Sequence, residues 1–212
     1  MRKQLRELYA ERLSMLEELR NSLQHETNEA LSGVAHIDRV SFRVKTVDSF
    51  VAKAQDPDNS PGYSDPLVEI EDQVAGRLLV FFLTDLPVVH RHLEATFNTV
   101  ERVERRPSRD AEFGYESDHL ICLIPPHLKP SQWDARADLP TTFELQIRTL
   151  FMHAYAEPQH DLAYKTSTEL PKSARRELAW IAASAWGADQ AFERLRSQYD
   201  AGTWVDGGTD AS

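Results

Sequence analysis

Phe143-Glu144-Leu145-Gln146-Ile147-Arg148-Thr149, followed after Leu150 by Phe151-Met152-His153-Ala154-Tyr155-Ala156-Glu157, is the stretch from which the fold is read. Phe143, Leu145 and Ile147 alternate with Glu144, Gln146 and Arg148, the period of a strand with one face in a core. Its polar face carries a carboxylate, an amide and a guanidinium in a row. Thr149 is placed to cap a helix that carries His153, Glu157 and His160. A carboxylate on a strand is held more firmly than one on a loop, which suits metal binding or proton abstraction. A half-buried strand with charge on its wet face gives the same pattern, so the reading depends on the other segments.

The chain has 212 residues, 41% hydrophobic and 27% charged, the make-up of a water-soluble globular protein of one domain with helical extensions. No apolar run reaches membrane-spanning length, and Met1-Arg2-Lys3-Gln4-Leu5-Arg6-Glu7 has no apolar signal core, so a cytoplasmic location and no membrane partner are expected. The single Cys122 forbids an intrachain disulfide and a cysteine-based zinc site; within Leu120-Ile121-Cys122-Leu123-Ile124 it reads as a small buried residue. A net charge of −10 argues against general nucleic-acid affinity, while leaving room for local basic clusters.

Leu5, Leu8, Leu13, Leu16, Leu19 and Leu23 predict one long helix to about residue 32. Phe42 to Ala54 reads as a basic segment with a helix starting near Thr46, and 55–66 as a loop. Leu78-Leu79-Val80-Phe81-Phe82 suits a central strand within 74–83. Asp85 caps a helix to about Phe97, and strands follow at 100–105 and 119–124. Pro158 is expected to disturb the helix that starts after Thr149. From Pro171, Leu178, Ile181, Ala185, Ala188, Phe192, Leu195 and Tyr199 form an apolar seam that packs on the core or on a second copy, with Trp180 and Trp186 off it. The order predicts an α+β protein: a helical arm over 1–37, a mixed-sheet core over 38–168, a C-terminal helix over 169–201 and a flexible tail over 202–212.

Four segments could carry chemistry. On a helix starting near Lys45, the residues Lys45, Ser49 and Lys53 share a face, a cationic strip with a hydroxyl that suits a polyphosphate; a solvated helix face looks the same. Glu71-Asp72 precedes the central strand, with Arg77 five residues on, an arrangement open to a magnesium-binding carboxylate or to turn chemistry. In Phe113-Gly114-Tyr115-Glu116-Ser117-Asp118-His119, glycine permits close backbone approach, and Tyr115 either stacks on a base or packs at a strand entrance. Glu144 is the fourth. Asp72 and Glu144 on neighbouring strands beside a cationic strip would suit magnesium-assisted phosphoryl transfer. The trio His153, Glu157 and His160 lacks a recognised zinc spacing and reads as structural or positioning.

In this order and spacing, Arg43-Val44-Lys45 with Ser49 and Lys53, Asp72 with Arg77, Gly114-Tyr115 with Ser117 and His119, and Glu144-Leu145-Gln146-Ile147-Arg148-Thr149 resemble the RelA/SpoT-type nucleotide synthetases from about Phe42 to Lys165. The resemblance implies a nucleotidyltransferase-like mixed sheet and transfer of pyrophosphate from ATP to the 3′-hydroxyl of GDP or GTP, making (p)ppGpp, in the manner of the small stand-alone alarmone synthetases. It implies ATP binding by Arg43, Lys45, Ser49, Lys53 and Arg77, and acceptor binding by Tyr115, Ser117, His119 and Gln146. It also implies catalysis by Glu144 and Asp72, with a Mg2+ ion held by the same two carboxylates.

Glu116 and Asp118 depart from the family pattern, where a basic or amide residue and an apolar one are usual. Two acids beside an acceptor phosphate predict repulsion, and so an alternative acceptor: an adenine nucleotide or the 3′ end of tRNA, the one case that involves nucleic acid. Pro158 and Ala75-Gly76 are lesser departures. Members of this kind are often oligomeric, so a homo-oligomer through the terminal helices is a further expectation.

Overall fold

The computed structural model of the protein describes residues 2–56, 62–107, 112–114, 116–165 and 170–203. Two helices, α1 (Arg2–Ala10) and α2 (Leu13–Ala30), lead into β1 (Ile37–Val44) and α3 (Val47–Ala54). A one-turn α4 (Pro66–Glu69) precedes β2 (Val74–Val80), α5 (Leu86–Thr96), β3 (Thr99–Arg105) and β4 (Ser117–Leu123). Then come β5 (Thr142–Thr149), α6 (Leu150–Lys165) and the 29-residue α7 (Lys172–Asp200). The five strands form one mixed sheet in the order β1-β2-β5-β4-β3. Only the β2–β5 pair is parallel.

Alternation along β5 sets the sheet's orientation. Phe143, Leu145 and Ile147 are each 0% exposed, and Val74, Leu78, Val80, Leu120 and Cys122 join them in one core. Leu16, Leu19 and Leu23 of α2, Phe50 of α3, and Val89 and Leu93 of α5 close that core. Each such side chain contributes about 1.5–3 kcal/mol by burial. A one-residue slip of β5 would exchange three of them for Glu144, Gln146 and Arg148, so the register is strongly held. A smaller cluster of Met152, Tyr155, Ala182 and Ala185 joins α6 to α7.

Several expectations are corrected. The N-terminal helix is two helices, because Arg12 turns inward between them. Its guanidinium is fully enclosed, 2.5 Å from Asp138 and 3.5 Å from the Leu67 carbonyl. β1 was not anticipated: it is an edge strand with only Phe42 buried, so it carries almost no period-two signal. Lys45 precedes α3 rather than lying on it, since Thr46 is the N-cap and accepts from Ser49 N at 3.2 Å. Pro158 leaves α6 unbroken. The carbonyl it deprives of a donor belongs to Ala154, which is exposed and open to water. On α7 the buried residues are Ala182, Ala185 and Asp189, whereas Ile181, Phe192, Leu195 and Tyr199 of the seam stay exposed. Cys122 is buried as expected, and burial pushes its thiol up to about 11. Residues 204–212 of the expected tail lie outside the described residues.

Candidate active site

Strand register assembles one polar face of the sheet. Arg43, Ala75, Glu144, Ile121 and Glu101 lie in one row across five strands, and Ser41, Arg77, Gln146, His119 and Val103 in the next. Side chains two residues apart on a strand share a face, so Glu144 and Gln146 stand beside His119 and Arg77. The segments singled out in the sequence thus converge through the β1-β2-β5-β4 pairing, although up to about a hundred residues separate them.

Asp72 sits in a short 3-10 turn at the entrance to β2 and receives both lysines of the strip, Lys45 Nζ at 2.6 Å and Lys53 Nζ at 3.0 Å. Burial pushes the Asp72 carboxyl up, but the two ammonium groups outweigh it and hold it below the ordinary range. Lys53 is held above its usual value by Asp72, against the opposing effect of burial. Two ammonium groups against one carboxylate leave this cluster one positive charge in excess, which favours an anionic ligand. Ser49, exposed, bonds to Thr46 Oγ1 at 2.9 Å at the open side of α3.

Glu144 is bonded by His119 Nδ1 on one carboxylate oxygen and by Gln146 Nε2 at 3.2 Å on the other. Burial raises its pKa and the negative charge of Asp72 adds to that, yet the bond and charge of His119 leave it lowered. Glu144 is therefore ionised at neutral pH, and the two carboxylates are close enough to feel one another. Two ionised carboxylates in mutual repulsion offer the oxygen donors that a hard divalent ion such as magnesium takes, although Lys45 and Lys53 occupy both oxygens of Asp72 and one would have to yield.

A second cationic group lies over the adjacent row. Arg77 and the nearly enclosed Arg148 both pair with Glu157 of α6, at 3.0 and 2.9 Å. Burial and the neighbouring charge of Arg148 lower the Arg77 pKa. His153, one turn before Glu157, has a lowered pKa through burial and the charges of Arg148 and Arg77, which leaves it neutral. Arg43 is exposed and, with Ser41, Ala75, Arg77 and Gln146, borders a small cavity beside β1.

Of the residues expected to bind the acceptor, Tyr115 lies outside the described residues. Ser117 is buried and its hydroxyl donates to the Ile147 carbonyl at 3.2 Å, so it ties β4 to β5. Asp118 corrects the expected repulsion. It points to the opposite face from His119 and is 3% exposed. His90 Nε2 meets it at 2.7 Å and Arg106 at 2.7 Å, with Arg102 at 3.5 Å. Burial raises its carboxyl, but the bonds from His90 and Arg106 win and bring it to about 2. Arg106 also donates to the Ser117 carbonyl at 3.2 Å, joining the chain just after β3 to the start of β4. Glu116 is half-buried, raised by burial against the opposing charge of Arg106, and borders a narrow recess with Arg148 and Asp189.

Sequence reasoning missed the His119–Glu144 bond, the closing of two lysines on Asp72, and the Glu157 bridge. None has a local signature, because the partners are 25, 27 and 80 residues apart at their widest. The inward turn of Asp118 was legible: an outward His119 on a strand requires it.

Residues 42–169 match the family described as the region found in RelA / SpoT proteins, and the chain belongs to that family. It is 30% identical over 167 residues to GTP pyrophosphokinase YjbM of Bacillus subtilis (strain 168), covering 76% of this chain and 73% of that protein. Among solved structures it is similar to small alarmone synthetase 1 from Bacillus subtilis, with a TM-score of 0.70 and 26% identity over 94% of this chain and 99% of that one. The same enzyme bound to its product pppGpp gives a TM-score of 0.68 and 26% identity, covering 88% of this chain and 93% of that one.

Proposed function

We propose that the protein is a GTP pyrophosphokinase that moves pyrophosphate from ATP to the 3′-hydroxyl of GDP or GTP, making (p)ppGpp and AMP. The observation that carries the reading is the juxtaposition of an ionised Glu144, held by His119, with the lysine-bound Asp72. The relatives named above are a GTP pyrophosphokinase and an alarmone synthetase seen with pppGpp, which supports the guanine acceptor.

Lys45 and Lys53, with Ser49 at the mouth, receive the ATP phosphates, and Arg43 and Arg77 flank the rest of the donor. Asp72 and Glu144 would hold a magnesium ion, which when bound would neutralise phosphate charge and polarise the phosphoryl group under attack. Glu144 accepts the proton of the 3′-hydroxyl as its oxygen attacks the β-phosphorus. The bond between that phosphorus and the α–β bridging oxygen breaks, and AMP leaves with the electron pair. His119 keeps Glu144 ionised and oriented, Gln146 borders the acceptor, and Tyr115 stacks on its base. The burial of Asp118 removes one of the two charges that argued for a different acceptor.

The test incubates purified protein with β-labelled ATP, magnesium ions and, separately, GDP, GTP, ADP and tRNA. Label on the guanine nucleotides supports the reading. Label on tRNA or ADP alone would move the protein to the alternative acceptor, and no transfer at all would remove the enzymatic reading.

A further inference from the structure

Lys45 carries its ammonium to Asp72 from a backbone position gripped from two sides. Its N–H donates to the Gln73 carbonyl at 2.8 Å, which fixes it to the entrance of β2. Its carbonyl accepts at 2.9 Å from the hydroxyl of Tyr9, which belongs to α1 and lies 36 residues earlier. Tyr9 is 0% exposed, and its ring lies flat on Phe50 with centroids 3.9 Å apart and planes 7° apart. Phe50 is on the inner side of α3, the helix that bears Ser49 and Lys53. One side chain therefore touches both halves of the cationic strip: the hydroxyl reaches the segment with Lys45, and the ring reaches the helix with Lys53. Burial pushes the phenol's pKa far up, with the nearby charge of Asp72 adding to it, so the hydroxyl remains a donor at every working pH. One turn earlier Arg6 reaches Asp48 of α3 at 2.6 Å, an exposed pair of small weight.

We propose that Tyr9 is a positioning residue of the ATP site, its hydroxyl setting the Lys45 backbone so that the ammonium meets the donor phosphates. The terminal arm is then part of the donor site rather than an appendage, although Tyr9 touches no reacting atom. A part-buried hydrogen bond whose loss leaves a carbonyl without its donor shifts a local equilibrium by roughly three- to tenfold.

The proposal rests on the assignment of Lys45 to the ATP phosphates, and the experiment separates the two. Tyr9→Phe keeps the ring on Phe50 and removes only the hydroxyl; it should fold, with a melting temperature lowered by no more than several degrees. Its dissociation constant for a non-hydrolysable ATP analogue, measured by calorimetry, should rise about three- to tenfold, and the KM for ATP should follow. The KM for GDP should stay at the wild-type value, a split that general loosening of the fold would not give. Arg6→Ala, which removes the exposed pair on the same helix, should leave ATP binding unchanged. Equal rises for both substrates in Tyr9→Phe, unaltered ATP binding, or an equal effect from Arg6→Ala would each overturn the role. If Lys45→Ala weakens ATP binding while Tyr9→Phe does not, the brace alone is wrong. If Lys45→Ala also leaves ATP binding intact, the donor assignment falls with it.

Discussion

Thr149 Oγ1 donates a 2.6 Å hydrogen bond to Asp189 Oδ2, and through it α7 is fastened to the end of the strand that bears Glu144. The same hydroxyl oxygen accepts from Met152 N at 3.1 Å and so caps α6. Asp189 is 4% exposed, and the Thr149 hydroxyl is its hydrogen-bond partner among the described residues. Burial raises its carboxyl, the Thr149 bond offsets part of that, and the charge of Glu116 adds to it, leaving the group at about 6.

The sign of that shift gives the first prediction. A carboxyl raised from 3.8 to about 6 holds its proton more tightly in the folded state than in the unfolded chain. Stability from this group is greatest below the unfolded value and falls as pH rises through about 6, by roughly 3 kcal/mol for a shift of about two units. Asp189→Asn keeps an acceptor for Thr149 and removes the ionisation. Its melting temperature relative to wild type should be higher near pH 8, and that advantage should shrink to about half near pH 5 and vanish below the unfolded value. A difference that does not vary with pH would show that Asp189 is not strained by its charge.

Asp118 should behave in the opposite sense. Lowered to about 2, it contributes stability that is full above the unfolded carboxyl value and is lost as pH falls toward 2. Asp118→Asn should cost about 1–3 kcal/mol at neutral pH, since it weakens bonds to His90 and Arg106 in a buried site. Urea denaturation at neutral pH checks this. Because Arg106 also holds the Ser117 carbonyl, the KM for the acceptor should rise more than that for ATP.

Gly76 allows the central strand to lie against its neighbours. A Cβ there would come within 2.6 Å of Leu145 Cδ2 and 2.6 Å of the Phe42 ring. Gly76→Ala should therefore destabilise the sheet by about 1–3 kcal/mol through overpacking. Gly114→Ala, whose Cβ would meet Pro107 Cγ at 3.7 Å and nothing nearer among the described residues, is the control and should leave the melting temperature near wild type.

The two carboxylates should separate by readout. Glu144→Gln should lower turnover by about 10²–10⁴-fold and largely spare ATP binding, because it removes the proton acceptor while Asp72 is assigned the larger share of the metal. Asp72→Asn should shift the magnesium dependence of turnover to higher concentration. Near-normal turnover by Glu144→Gln would remove its role as base.

Tyr115 is tested by substitution. If its ring stacks on the acceptor base, Tyr115→Phe should be mild, and Tyr115→Ala should cost about 1–3 kcal/mol in acceptor binding with ATP binding unchanged. A fall in ATP affinity instead would assign Tyr115 to the donor side.

What the chain determines locally is what depends on neighbours a few residues apart. The alternation of Phe143, Leu145 and Ile147 selects the core face of β5 and presents Glu144 and Gln146 on the other, because side chains on a strand alternate strictly. Leu16, Leu19 and Leu23 set the buried stripe of α2 in the same way. The same local rule turns Asp118 inward once His119 faces out. Tertiary structure alone decided the rest, since it depends on groups brought together from distant positions. An edge strand such as β1 buries little and so leaves no pattern, yet its pairing with β2 places Arg43 in the row of Glu144. The inward turn of Arg12 depends on Asp138, and the length of the N-terminal helix could not be read without that partner. The ionisation of Asp72 and Glu144 likewise depends on Lys45, Lys53 and His119, because a buried carboxylate keeps its charge only where opposite charge or hydrogen-bond donors stand beside it.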